Sequence, residues 1–162
     1  MIGKTTIEKN REKRELTVER IVALPRKLAW EGWTKPVHVA RWWGPKQWTA
    51  TIYEMDVRPG GIWRYSLSPE GGKEDAFGIA EYREVSQPSR LEYMDMFADH
   101  RWNVVEGSDM LTAVTFEEVT GGTKLSIVTR FATVDKLEEA EAIGMIEGYS
   151  DALERLETAF MN

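Results

Sequence analysis

The chain has 162 residues, with 27 acidic and 21 basic side chains, a formal charge of −6 and no cysteine. This length fits one domain spanning residues 1–162, the missing cysteine excludes disulfides and thiolate metal sites, and the acidic balance argues against nucleic acid as a partner. No apolar run reaches the ~18 residues of a membrane helix, and the amino terminus lacks the apolar core of a signal peptide. We therefore expect a cytoplasmic protein without a membrane span.

The amino-terminal half begins with a strand. Residues 1–11 are expected to form a flexible segment, and the residues from Glu12 to Leu24 alternate with their apolar side chains mostly at even positions. Such alternation predicts a half-buried first strand.

Two short helices follow the first strand. Arg26 to Glu31 follows Pro25 and stops at Gly32, and Val37 to Trp43 lies between Pro36 and the Gly44-Pro45 pair, which is the arrangement of residues that begin and end helices. This helical elbow holds four of the seven tryptophans, which predicts that it closes one end of an apolar space. The four are Trp30, Trp33, Trp42 and Trp43.

The stretch from Gln47 to Phe131 predicts an antiparallel meander of six strands, because strand-like alternation is interrupted by hairpin turns. A phase slip near Ile52 indicates a bulge, which leaves the facing of Glu54 and Asp56 open. Ala98 to Ser108 is the longest loop. The predicted strands lie at Thr49 to Val57, Ile62 to Ser68, Ala76 to Val85, Leu91 to Phe97, Met110 to Phe116 and Leu125 to Phe131.

Asp135 to Asn162 predicts a single long helix. Asp135 and Glu138 have the spacing of a capping box, and an apolar stripe runs from Met145 to Phe160. At 1.5 Å per residue the helix would span roughly 36 Å, about the length of a strand of ten or eleven residues. The predicted fold is therefore α+β, with a curved antiparallel sheet of about seven strands wrapped around a long carboxy-terminal helix.

Three groups of residues also carry a family resemblance. Ala40 to Pro45, Asp56 to Trp63, and Gly148-Tyr149 with the two leucines that follow occur in the order and spacing of the START-like, or SRPBCC, superfamily. Within it the chain most resembles the activator of heat shock protein 90 ATPase homologue (AHSA-like) domain family, from about Leu16 to Phe160. The resemblance implies a helix-grip, Bet v-like fold. It implies less about activity, because the superfamily includes lipid carriers, polyketide cyclases, drug-sequestering proteins and co-chaperone domains.

The inner faces of sheet and helix predict a hydrophobic cavity between them. Adjacent helical residues point about 100° apart, so only one ring of the Trp42-Trp43 pair can enter it. Asp95 either projects into the cavity, where burial would raise its pKa, or lies at a wet strand end, which we favour. Gly144 and Gly148 indicate open space or a close backbone contact beside the helix. The candidate cavity residues are Trp43, Trp63, Tyr65, Tyr93, Asp95, Met110, Thr112, Met145 and Tyr149.

The sequence favours a binding protein for a small hydrophobic or aromatic ligand over an enzyme. His38 and His100 have no metal-like partner spacing, so no metal and no cofactor are predicted. One alternative is a cyclase- or hydrolase-type enzyme in which a carboxylate, first of all Asp95, or a tyrosine moves a proton. Another is a co-chaperone-like domain that binds a protein partner, although we expect the chain to lack the additional amino-terminal domain of those proteins. The identity of the ligand and the choice between monomer and homodimer are left open.

Overall fold

The computed structural model describes residues 3–72 and 74–160. All eight of its named strands form one antiparallel sheet in the order β1-β2-β8-β7-β6-β5-β4-β3, and four helices cover one face. This arrangement confirms the predicted α+β helix-grip fold. None of the helices in the described residues has the length and apolarity of a membrane span. The elements are β1 (Thr5–Asn10), β2 (Glu15–Val22), α1 (Arg26–Thr34), α2 (Pro36–Trp42), β3 (Trp48–Met55), β4 (Ile62–Pro69), β5 (Ala76–Ser86), β6 (Arg90–Ala98), β7 (Met110–Val119), β8 (Gly122–Phe131), α3 (Val134–Ala142) and α4 (Met145–Ala159).

The sheet has one strand more than predicted, at its amino-terminal edge. The segment expected to be flexible contains β1, which pairs with β2 from Thr5 opposite Arg20 to Asn10 opposite Glu15. Most β1 side chains are exposed, so β1 lacks the apolar alternation by which the other strands were predicted. Met1 and Ile2 of that segment lie outside the described residues.

The single carboxy-terminal helix was a wrong prediction, because the helix is interrupted. Gly144 has a left-handed φ of 89°, which separates α3 from α4. The first cap is also displaced, since the Thr133 side chain accepts the hydrogen bond from the Lys136 amide at 3.1 Å. Met161 and Asn162, the predicted last residues of the helix, lie outside the described residues.

The predicted bulge in β3 and the predicted end of the first short helix had different outcomes. The bulge in β3 is confirmed by a register shift between Ile52 and Glu54, and Glu54 turns outward toward Arg64, with 3.5 Å between carboxylate and guanidinium. Helix α1, however, continues past Gly32 to Thr34. A Cβ at Gly32 would lie 2.8 Å from a methyl of Leu156, so this glycine permits close approach of α4.

The main core lies between the inner face of the sheet and helices α1, α2 and α4. Leu153 and Leu156 of α4 are fully buried there. Trp42 is also fully buried, and its indole Nε1 donates to the Gly32 carbonyl over 2.7 Å. A smaller cluster under α3 holds Leu16, Phe131, Leu137 and Ala140. In place of one long carboxy-terminal helix, the sheet therefore packs against two, α3 and α4. The junction between these two helices borders the candidate site described below.

Candidate functional site

A cavity of about 510 Å³ lies between α4 and the sheet, on the side where α3 meets α4. Its volume falls in the range of small-molecule sites. Aromatic and aliphatic side chains dominate its wall, and exposed residues at one side open it to solvent. The apolar wall consists of Trp43, Pro45, Tyr65, Leu67, Phe97, Val105, Met110, Phe131, Ala140, Ile143, Met145, Tyr149 and Ala152.

Six of the nine candidate residues are brought together around this cavity. The other three, Trp63, Tyr93 and Thr112, lie in packed core and do not line it. Ring packing explains the difference, since the Trp63 centroid lies 4.9 Å from that of Trp43 and 5.7 Å from that of Tyr93. The same inner face is therefore solid beside the elbow and open farther along. The six that line the cavity are Trp43, Tyr65, Asp95, Met110, Met145 and Tyr149.

Asp95 lies inside the cavity wall, so the favoured placement at a wet strand end was wrong. Strand β6 continues to Ala98, and Asp95 pairs with Ala80 on one side and Met110 on the other. Its side chain is 8% exposed, and the Tyr65 hydroxyl donates to Oδ1 over a long 3.5 Å. Burial raises the pKa of Asp95 from 3.8 to about 7. The cavity thus contains a carboxyl group that can change protonation state near neutral pH.

The tyrosines around this carboxyl group are neutral. Burial raises the pKa of Tyr65 well above its ordinary value, and the negative charge of Asp95 raises it further. The same two causes raise the pKa of Tyr149 on α4. Both hydroxyl groups therefore remain hydrogen-bond donors over the whole working range of pH.

Only Trp43 of the Trp42-Trp43 pair lines the cavity. The helical spacing on which this prediction rested does not apply, because α2 ends at Trp42 and Trp43 is its extended C-cap residue. The Trp43 ring lies 5.6 Å from the Tyr65 ring and 6.3 Å from the Tyr149 ring, centroid to centroid. Its Nε1 is buried without a hydrogen-bond partner in the part of the chain that the structure describes. Trp43 therefore joins the solid core on one side to the open cavity on the other.

Both glycines near the start of α4 line the cavity, and Gly144 also has a conformational role. Gly144 has the left-handed φ that breaks the helix, which neither of its predicted roles anticipated. At Gly148 an added Cβ would lie 3.5 Å from Pro45 Cγ, an ordinary contact distance, and the residue lines the cavity. Gly144 also lines the cavity, and a Cβ there would meet only Glu147 Oε1, at 3.6 Å, so the open-space interpretation fits both glycines.

The sequence analysis missed several wall residues. Leu67 shares the inner face of β4 with Tyr65, and Phe97 is two residues beyond Asp95, so strand phase could have identified both. Val105 and Ile143 at the mouth follow no periodic signal. No group of three or more histidine, aspartate or glutamate side chains within residues 3–72 and 74–160 could hold a metal ion.

Comparisons with known proteins agree with this architecture. A family model described as Activator of Hsp90 ATPase homolog 1-like protein matches residues 23–161. The solved structure of protein Ms6760 from Mycobacterium smegmatis is 28% identical, covers 98% of both chains and gives a TM-score of 0.90. A protein from Arthrobacter aurescens is 25% identical over 95% of this chain and 90% of its own, with a TM-score of 0.89. One from Staphylococcus epidermidis is 27% identical over 95% and 92%, with a TM-score of 0.83. The comparison with curated proteins found no match.

Proposed function

The chain belongs to the family of activator of Hsp90 ATPase homolog 1-like proteins, and from that premise we propose that it binds a small apolar or aromatic ligand between the sheet and α4. One observation carries the proposal. The cavity of about 510 Å³ has an almost entirely apolar wall that encloses a single buried carboxyl group, Asp95. An apolar pocket with few polar groups is the usual form of a small-molecule site.

The magnitude of apolar burial supports a ligand with an aromatic body. Burying about 200 Å² of apolar ligand surface at about 25 cal/mol per Å² contributes about 5 kcal/mol. Part of this gain is offset by the translational and rotational freedom that the ligand loses, so apolar burial alone gives only a weak complex. A tighter complex requires a polar contact as well, and Asp95 is the buried group positioned to supply it.

Titration with Nile red, a neutral apolar dye, tests this function. Trp43 lines the cavity, whereas Trp48 on β3 does not. We expect the dye to bind and to quench tryptophan emission. Trp43→Phe should remove much of that quenching, and the matched variant Trp48→Phe should preserve it. Absence of dye binding, or equal losses of quenching in the two variants, would contradict a ligand site in this cavity.

A second candidate function is proton-transfer catalysis in the same cavity. It is favoured by Asp95, because burial raises the pKa of its carboxyl group to about 7, close to the operating pH of a general acid or base. In this role Tyr65 would orient Asp95 through its hydroxyl. Conversion of a bound compound by wild-type protein, lost in Asp95→Asn while that compound still binds, would identify an enzyme. Release of the compound unchanged would contradict catalysis of that compound and support binding as the only function of the cavity toward it.

A further inference from the structure

The charges on the cavity wall are mostly negative. Asp95 lies inside, and three exposed carboxylates, Glu106, Asp109 and Glu139, line the mouth. Lys136 is the one basic residue among the lining residues, and its Nζ lies 3.4 Å from Glu139 Oε2. An entrance of this sign raises the local concentration of cations and repels carboxylates and phosphates.

Asp95 is surrounded by tyrosines of the cavity wall and of the neighbouring core, and by no cation in the part of the chain that the structure describes. Tyr65 of β4, Tyr82 of β5, Tyr93 of β6 and Tyr149 of α4 all have a raised pKa, to which the charge of Asp95 contributes. The Tyr65 hydroxyl and the Met96 backbone N–H donate hydrogen bonds that favour the Asp95 carboxylate, but in the described part of the chain no lysine, arginine or histidine does so. A buried carboxylate is expensive without a positive partner, so a cationic ligand would supply what the fold leaves out.

Aromatic rings stand beside this carboxyl group. Trp43, Tyr65 and Tyr149 form one cluster on the cavity wall, with Trp43 at its centre. A ligand cation within about 6 Å of such rings gains a further cation–π attraction, which strengthens when water is excluded. The rings also offer flat surfaces for the apolar body of the ligand.

The amino-terminal end of α4 carries the positive partial charge of the helix dipole, which would favour an anion. Its partial charge is about half a unit and acts over the first turn of the helix. Glu147, however, places a carboxylate in that same turn. With the full charge of Asp95 and the acidic mouth added, the balance of the site favours a cation.

On these grounds we propose that the ligand is an apolar or aromatic amine whose protonated nitrogen binds Asp95 while its body packs against Trp43 and Tyr149. This inference rests on the proposed binding function and adds the chemical class of the ligand. An ammonium group has up to three N–H donors, and the acceptor oxygens of Asp95 can take them in the geometry of a charge-assisted hydrogen bond.

The sign of the pH dependence follows from the ionisation of Asp95. Its carboxyl group must be deprotonated to bind an ammonium, and burial raises its pKa to about 7. The four tyrosines stay neutral and an alkylamine stays protonated over this range, so Asp95 controls the change. Lowering the pH from about 8 to about 6 should therefore weaken amine binding about tenfold. A neutral ligand of the same shape should show no such loss.

Isothermal titration calorimetry with three matched probes tests the proposal. The probes are naphthylethylamine, naphthylethanol and naphthylpropanoate, which share one aromatic body and differ in the charge of the end group. For wild-type protein at about pH 8 we expect the amine to bind at least tenfold more tightly than the alcohol and the propanoate to bind most weakly. Asp95→Asn should abolish the preference for amine over alcohol. Glu117→Gln, which removes an exposed carboxylate on β7 outside the cavity, should retain it.

The outcomes separate failure of this inference from failure of the proposed function. If Nile red binds but the alcohol or the propanoate equals the amine, or none of the three probes binds, the amine proposal is wrong and the apolar site stands. The proposal also fails if the preference for the amine survives in Asp95→Asn. If neither Nile red nor any naphthyl probe binds, both proposals fail together.

Discussion

The two ends of the space between sheet and α4 differ in how completely side chains fill it. At the closed end, beside α1 and α2, Trp63, Tyr82 and Tyr93 share one continuous core with Leu153 and Leu156. At the open end, beside the junction of α3 and α4, Tyr65 and Asp95 of the same sheet face border a cavity of about 510 Å³. One sheet surface therefore serves both as core and as cavity wall.

The interruption of the carboxy-terminal helix explains the difference. Beyond Ala152, α4 presents large apolar side chains that meet the sheet directly. The first turn of α4 instead includes Gly148, which has no side chain. Helix α3 precedes α4, is separated from it by the break at Gly144, and packs on a separate small cluster. The cavity lies between these two contacts. Openness at the site thus arises from helix placement as much as from the residues of the sheet.

Truncation at the closed end should have the largest effect. Leu153 is fully buried, so Leu153→Ala should lower the free energy of unfolding by about 2–5 kcal/mol through lost burial and a new void. Met145→Ala, at the wall of an existing cavity, should cost only about 1 kcal/mol because fewer contacts are lost. Urea denaturation measures both. Equal costs would mean that the two ends are packed alike.

Ionisation of Asp95 should set the next largest effect. The folded protein holds a proton on Asp95 up to about pH 7, whereas the unfolded chain releases it near pH 3.8, so the folded state binds more protons between these values. The free energy of unfolding should therefore fall as the pH rises through this window and level off above it. Asp95→Asn has no such group, so its stability advantage should grow by about 2 kcal/mol between about pH 5.5 and about pH 8.

Urea midpoints of wild type and Asp95→Asn at these two pH values measure that growth. Glu117→Gln is the control for general charge effects, since its side chain is exposed. A constant difference between wild type and Asp95→Asn would show that Asp95 ionises as it does in water.

Filling the open end should remove ligand binding without unfolding the protein. The space beyond Gly148 accepts a Cβ at 3.5 Å from Pro45, so Gly148→Leu should extend into the cavity and weaken Nile red binding at least tenfold, about 1.4 kcal/mol. Gly148→Ala adds one methyl to the same helix position and should keep most of the binding. A sharp drop in melting temperature for both variants would indicate a close backbone contact instead of open space.

Strand periodicity predicted most of the sheet and the closed core, because buried strands alternate in a way that residue order alone reveals. It could not predict β1, whose exposed edge position imposes no apolar alternation. The helix break was also missed. The acidic start at Asp135 and the apolar stripe from Met145 onward are as compatible with one continuous helix as with two. The left-handed φ of Gly144, which separates them, depends on where α3 packs.

For the site, phase within a strand predicted which residues face inward but not which of them meet a cavity. Trp63 and Tyr65 have the same phase on β4, yet Trp63 lies in packed core and Tyr65 on the cavity wall. The distinction depends on the helix opposite each residue, which is a tertiary property. The burial of Asp95 has the same origin, since the loop after β6 and helix α3 enclose a position that the sequence places near a strand end.

The smallest expected effect concerns the mouth of the open end. Ile143 is 74% exposed and lies at the junction of α3 and α4, so Ile143→Ser should change the free energy of unfolding by no more than about 0.5 kcal/mol. The same side chain lines the cavity mouth, and its loss should weaken Nile red binding about two- to threefold if the apolar wall continues to the surface. Val37 on α2 is 67% exposed and does not line the cavity, so Val37→Ser is a matched control that should leave dye affinity unchanged. Equal dye affinities in both variants would place the end of the binding site deeper than Ile143, at Met145 and Tyr149.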